Sequence, residues 1–161
     1  MKRRQDWHRT QRGLTTVEFA IVATVLFIVL FAVIEFGRAL YVVNMLTEAT
    51  RRGARMAAVC PVGDTDPAMV AAFTSGGSNS SLISGLSTAN VSIQYLDGNG
   101  AVLSDPTGDF DEIRYVRASI VGFSLPLMIP FLYPTLTLDG FATTLPRESL
   151  GIPRSGTIQP C

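Results

Sequence analysis

The chain has 161 residues, a formal net charge of zero and only 16% charged side chains. That balance excludes a broadly basic nucleic-acid surface, and the length allows one small domain at most. The neutrality hides an asymmetry: Lys2, Arg3, Arg4, Arg9 and Arg12 precede Gly13 against a single acid, Asp6, so the rest of the chain is net acidic. Glycine and proline concentrate after residue 60, together with Ser, Thr and Asn. Three parts follow: a basic leader over residues 1–13, an apolar-to-amphipathic segment over 14–59, and a loop-rich part over 60–161.

Residues 14–34 are apolar or small except for Glu18. A bilayer's hydrocarbon core is about 30 Å thick and takes about 20 helical residues. The charge-free stretch Phe19–Ile34 rises only about 24 Å as a helix, whereas Leu14–Ile34 rises about 31 Å. The span therefore starts near Leu14, and Glu18 lies about 6 Å inside the helix start. Arg38, Arg51 and Arg52 follow the span, but the leader is denser in Lys and Arg, so the positive-inside rule places the N-terminus in the cytoplasm. A cleaved secretory signal fits poorly. Its apolar region runs about 7–15 residues and ends in a small-x-small site, which Ala32, Val33 and Ile34 do not supply.

No proline occurs before Pro61, and Gly37 and Gly53 are the only glycines between Leu14 and Cys60. After the span, apolar Leu40, Val42, Val43, Leu46 and Ala49 interleave with Arg38, Asn44, Thr47 and Glu48, the pattern of an amphipathic helix. Glu48 and Arg52 form a favourable i,i+4 pair. One helix over 14–59 would be roughly 69 Å long. Arg51, Arg52 and Arg55 read as its solvated face.

Gly13-Leu14-Thr15-Thr16-Val17-Glu18-Phe19 after a short basic leader resembles the prepilin peptidase site of type IV pilin-like proteins. Joined to the apolar run and to "EFGRALYVVNMLTEATRRGARMAAV", it resembles the TadE-like minor pseudopilins of tight-adherence (Flp, type IVb-like) pilus systems. The resemblance is carried by residues 11–59 and is weaker over 91–150, where "LDGFATTLPRESL" is similar to the family's C-terminal part. It implies cleavage after Gly13 by a prepilin peptidase, a mature chain beginning at Leu14, and assembly contacts through Glu18 and Phe19. Other pilins and pseudopilins, an inner-membrane assembly platform and the lipid bilayer are the implied partners. The implied place is the bacterial inner membrane, single-pass, with a periplasmic head; the implied role is pilus assembly and surface adhesion. Cleavage would create a positive amine on Leu14 one helical turn from Glu18, where the macrodipole also favours an acid. An acid snorkelling at the interface is the other reading of Glu18 alone. N-methylation of Leu14 stays open, because many pilins carry Phe or Met at that position.

In the exported part, "DTDPAMVAAF" predicts a short helix with Asp66 as N-cap and Pro67 at the first position. "TSGGSNSSLISGLSTAN" reads as a flexible loop or linker. "VSIQYL" alternates as a strand, "DGNG" is turn chemistry, and "AVLS" is a candidate return strand. "EIRYVRASIVGFSL" and "PTLTLDGFATTLP" read as two longer strands. The expected fold is α+β and pilin-like: a long N-terminal helix with a small antiparallel β-sheet head.

Cys60 and Cys161 are the only cysteines. An even count in an exported chain favours their pairing; two unpaired or intermolecular thiols are the alternative. Asp105, Asp109, Asp111 and Glu112 cluster without the spacing of a calcium loop and read as an acidic surface loop. The lone histidine, His8, sits in the leader, which leaves the head without imidazole for a triad or a His-ligated zinc site. No catalytic residue, metal site or cofactor is implied. The rival to the pilus reading is an uncleaved, signal-anchored periplasmic binding module.

Overall fold

The computed structural model describes residues 11–128, 135–152 and 156–161. Most of the leader, including His8, lies outside the described residues. α1 (Gln11–Val59) is one unbroken helix of 49 residues. It ends where Pro61 withholds a backbone donor and pushes Cys60 out of helical geometry. The Cys60 N–H still donates to the Met56 carbonyl at 2.9 Å.

The two halves of α1 have different surroundings. From Leu14 to Leu40 its large apolar side chains face outward. From Val42 onward one stripe is buried, with Val42, Leu46, Ala49, Ala54 and Ala57 at three- to five-residue spacing, the face of an amphipathic helix. Glu48 accepts from the Arg52 Nε at 2.8 Å on the outer side. Arg52 also lies over the Phe73 ring, 5.3 Å from its centroid.

α2 (Asp66–Ala71) crosses this stripe. Its N-cap is Thr65, one residue earlier than expected, and Asp66 is already helical. Asp64 Oδ1 accepts the Asp66 N–H at 3.0 Å, and the Ala68 and Met69 N–H groups go to the Thr65 carbonyl, so no Asp66 side-chain cap forms. The Ser- and Gly-rich stretch after α2 is not a free linker. Ser80 Oγ accepts the N–H groups of Leu82 and Ile83, and the Ser80 N–H donates to the Leu86 carbonyl at 2.9 Å. This knot buries Ile83 and Leu86 in the core beside Leu46, Ile120 and Phe123.

The strands are β1 (Val91–Leu96), β2 (Tyr115–Ile120), β3 (Ser124–Pro126), β4 (Thr135–Thr137) and β5 (Ala142–Pro146). β1, β2 and β5 form an antiparallel sheet with β2 in the centre. Its inward residues Val116, Ala118 and Ile120 pack toward α1. A second cluster joins Ala57 to Tyr95, Ile113, Val116 and Leu150. The expected return strand "AVLS" makes one isolated bridge, Val102 to Leu96, and β2 takes the place beside β1. Asp97 closes the turn on itself, accepting the Asn99 and Ala101 N–H groups; Asp105-Pro106 then turns the chain away.

Each of the two long expected strands is broken once. "EIRYVRASIVGFSL" divides into β2 and β3 at Gly122 (φ +62°), and "PTLTLDGFATTLP" into β4 and β5 at Gly140 (φ +89°). Both breaks need left-handed backbone, which glycine adopts without a Cβ penalty. The breaks fall nearly opposite each other, and the β2–β5 and β3–β4 pairs share one register. The result is a single kinked two-stranded ribbon whose outer end, β3–β4, runs beside α1 past the edge of the head.

Candidate functional site

Gly13 and Leu14 lie within the first turns of α1, and a Cβ at Gly13 would meet nothing within 4 Å. Leu14 is 73% exposed and Phe19 72% exposed. Glu18 is exposed one turn after Leu14 and makes no ion pair among the described residues. The helix around it thus carries an acid within an apolar surface. Thr24, further along, satisfies its hydroxyl internally by donating to the Ala20 carbonyl at 2.7 Å, which suits a polar group facing lipid.

The helix is long and apolar enough to cross a membrane, and its most apolar stretch is not buried against the rest of the chain. Exposed apolar surface on this scale marks a membrane or protein contact. The chain is built to be membrane-anchored through this half of α1.

Where the apolar stretch ends, Glu35 and Arg38 meet. The Arg38 Nε donates to Glu35 Oε2 at 3.2 Å, and its terminal nitrogen to Oε1 at 2.5 Å. The same two side chains hold the ribbon end. Arg38 donates to the Pro126 carbonyl, and the Met128 N–H donates to Glu35 Oε1 at 3.2 Å. Between ribbon and helix lies an apolar groove of about 880 Å³. Sequence reading passed over Glu35 and treated Arg38 only as a flanking charge. The available signal was their i,i+3 spacing at the end of the apolar run.

At the far end of α1, Cys60 and Cys161 are disulfide-bonded, with Cα atoms 5.6 Å apart. Asp64 Oδ2 accepts the Cys161 N–H at 3.5 Å. The acidic stretch 105–112 spends its first carboxylate on its own backbone: Asp105 Oδ1 accepts the Thr107 and Gly108 N–H groups. Among the described residues no group of His, Cys, Asp or Glu converges as metal ligands do.

The model of the TadE-like protein family matches residues 13–55, from the glycine before Leu14 to Arg55 on the buried half of the helix. Over that stretch the chain is similar to the TadE-like family. No curated protein and no solved structure matches it. The TadE-like stretch contains Gly13, Leu14, Glu18, Phe19, Glu35 and Arg38 and leaves the sheet outside it. TadE-like proteins belong to tight-adherence pilus systems, and the similarity of this segment suggests a role in such a system. The β head is not covered by that match.

Proposed function

We propose that the chain is a minor pseudopilin of a tight-adherence pilus, inserted with its N-terminus in the cytoplasm and its head in the periplasm. A prepilin peptidase cuts after Gly13, and the freed Leu14 amine pairs with Glu18 of the same or a neighbouring subunit. The subunit then assembles with other pilins and pseudopilins on an inner-membrane platform and supports surface adhesion, as a structural part rather than a catalyst.

The observation that carries this reading is Glu18 itself: an exposed acid on an apolar helix, with no ion pair among the described residues, one turn from Leu14. An acid in the hydrocarbon costs about 2–3 kcal/mol or more unless it is partnered. The Leu14 amine is the nearest cation that processing would create, because residues i and i+4 lie about 5–6 Å apart on a helix.

Mass spectrometry of the protein from its own cells tests the cut: the reading expects Leu14 at the N-terminus. A chain that keeps Met1 supports the uncleaved anchored module instead. Glu18→Gln in processed protein is expected to abolish pilus assembly, and normal piliation by that variant removes the assembly role.

A further inference from the structure

The geometry points to a second membrane contact: the β3–β4 end of the ribbon seats in the outer, head-side leaflet beside α1, and lipid acyl chains fill the groove between them. This rests on the reading of α1 as a spanning helix.

Depth is the first argument. If residues 14–34 fill the hydrocarbon core, Glu35 marks its head-side boundary. The Met128 backbone is hydrogen-bonded to that carboxylate, so the ribbon end is at the same level. The groove between them is lined by Phe27, Phe31 and Ala32, which belong to the span, and by Leu127, Met128 and Leu136 of the ribbon. One wall of the groove is therefore membrane-embedded helix, and its natural filling is lipid.

Composition is the second argument. No charged residue occurs among the described residues between Arg117 and Asp139. Met128 is 74% exposed, which is costly in water and favourable at a lipid boundary. Backbone satisfaction is the third. Polar backbone groups entering lipid must find partners within the protein. β3 and β4 satisfy each other through their ladder, while Glu35 and Arg38 take the Met128 N–H and the Pro126 carbonyl. The two charges neutralise each other, and Arg38 has the aliphatic stem to place its head at the interface.

The test uses the full chain, with Cys60–Cys161 oxidised, in lipid nanodiscs. Single cysteines at Met128, at Val25 in mid-span and at Val102 on the head surface carry an environment-sensitive fluorophore. Lipids bear a nitroxide either near the glycerol or near the chain end. The expected result for Met128→Cys is blue-shifted emission and a several-fold stronger quenching by the glycerol-proximal nitroxide than for Val102→Cys. Val25→Cys should respond most to the chain-end nitroxide. Water-like emission from Met128→Cys, with Val25→Cys still quenched, overturns the second contact and leaves the anchor intact. Water-like emission from both overturns the anchor and the inference with it. A blue-shifted Met128→Cys probe that lipid nitroxides do not quench, but that transfers energy between differently labelled copies, assigns the groove to a second chain and overturns lipid as its occupant.

Discussion

A methyl group added at Gly53 would place its carbon 2.9 Å from Ala71 Cβ and 3.3 Å from Ala118 Cβ. Gly53 is thus the point where α1, α2 and the central strand β2 converge. Carbon atoms pack best at about 3.5–4.0 Å, so α2 must retreat by about 0.6 Å or more to admit alanine. Overpacking of this kind costs about 1–3 kcal/mol. Alanine also returns about 1 kcal/mol of helix propensity relative to glycine. Gly53→Ala is therefore expected to lose about 0–2 kcal/mol net. Gly53→Val puts two further methyls into the same closed space and recovers less propensity, for an expected loss of about 2–4 kcal/mol. Gly37 is the internal control: a Cβ there meets nothing within 4 Å, so Gly37→Ala should be neutral or stabilising. Urea unfolding of the full chain in mild detergent measures these differences. Near-UV circular dichroism of the tyrosines is the signal to follow, since the lone tryptophan, Trp7, lies in the leader. Unfolding of Gly53→Val at the wild-type urea concentration would refute the close approach of the three elements. So would a loss in Gly37→Ala as large as in Gly53→Val.

Reducing the Cys60–Cys161 bond, or replacing Cys161 by serine, frees a loop with a sequence separation of 101 and should cost about 2–5 kcal/mol of stability; an unchanged urea midpoint counts against a structural role for the bond. Ile83→Ala should lose about 2–4 kcal/mol in the same assay, because Ile83 is buried in the core cluster, whereas a residue in a free linker would lose nothing. Hydrogen bonds from Ala101, and from Asn99, hold the Asp97 carboxyl below its ordinary range. Its contribution is therefore full above the unfolded pKa of about 3.9 and is lost as pH falls through the lowered folded value. The stability gap between wild type and Asp97→Ala should accordingly narrow on acidification, and a pH-independent gap would contradict this.

Much of this fold could be read from single residues. The α1 pattern of Val42, Leu46 and Ala49 announces a buried stripe, and "VSIQYL" announces a strand. These are local signals, and the α+β layout follows from them. What stayed hidden depends on partners distant in sequence. Ile83 and Leu86 sit among serines and glycines that indicate turns without saying that those turns are knotted. The breaks at Gly122 and Gly140 become visible only when two strands are paired and their kinks fall opposite each other. Asp64, not Asp66, sets a carboxylate oxygen beside the α2 start, on the Asp66 N–H, because the helix begins one residue earlier than the Asp-Pro pair suggests. In the candidate site, Gly13, Leu14, Glu18 and Phe19 could be singled out from sequence because their proposed roles rest on spacing along one helix. Glu35 and Arg38 were not, since their work is on the backbone of Pro126 and Met128, far along the chain.

The bond between Cys60 and Cys161 also changes how the molecule bears load. A pull applied at residue 161 passes through the disulfide straight into the end of α1 and on to the anchor. The sheet, the ribbon and the loops between those two cysteines lie outside that line of force. Tension along the chain can thus be carried by one helix and one covalent bond, while the head keeps its shape as an unstressed passenger.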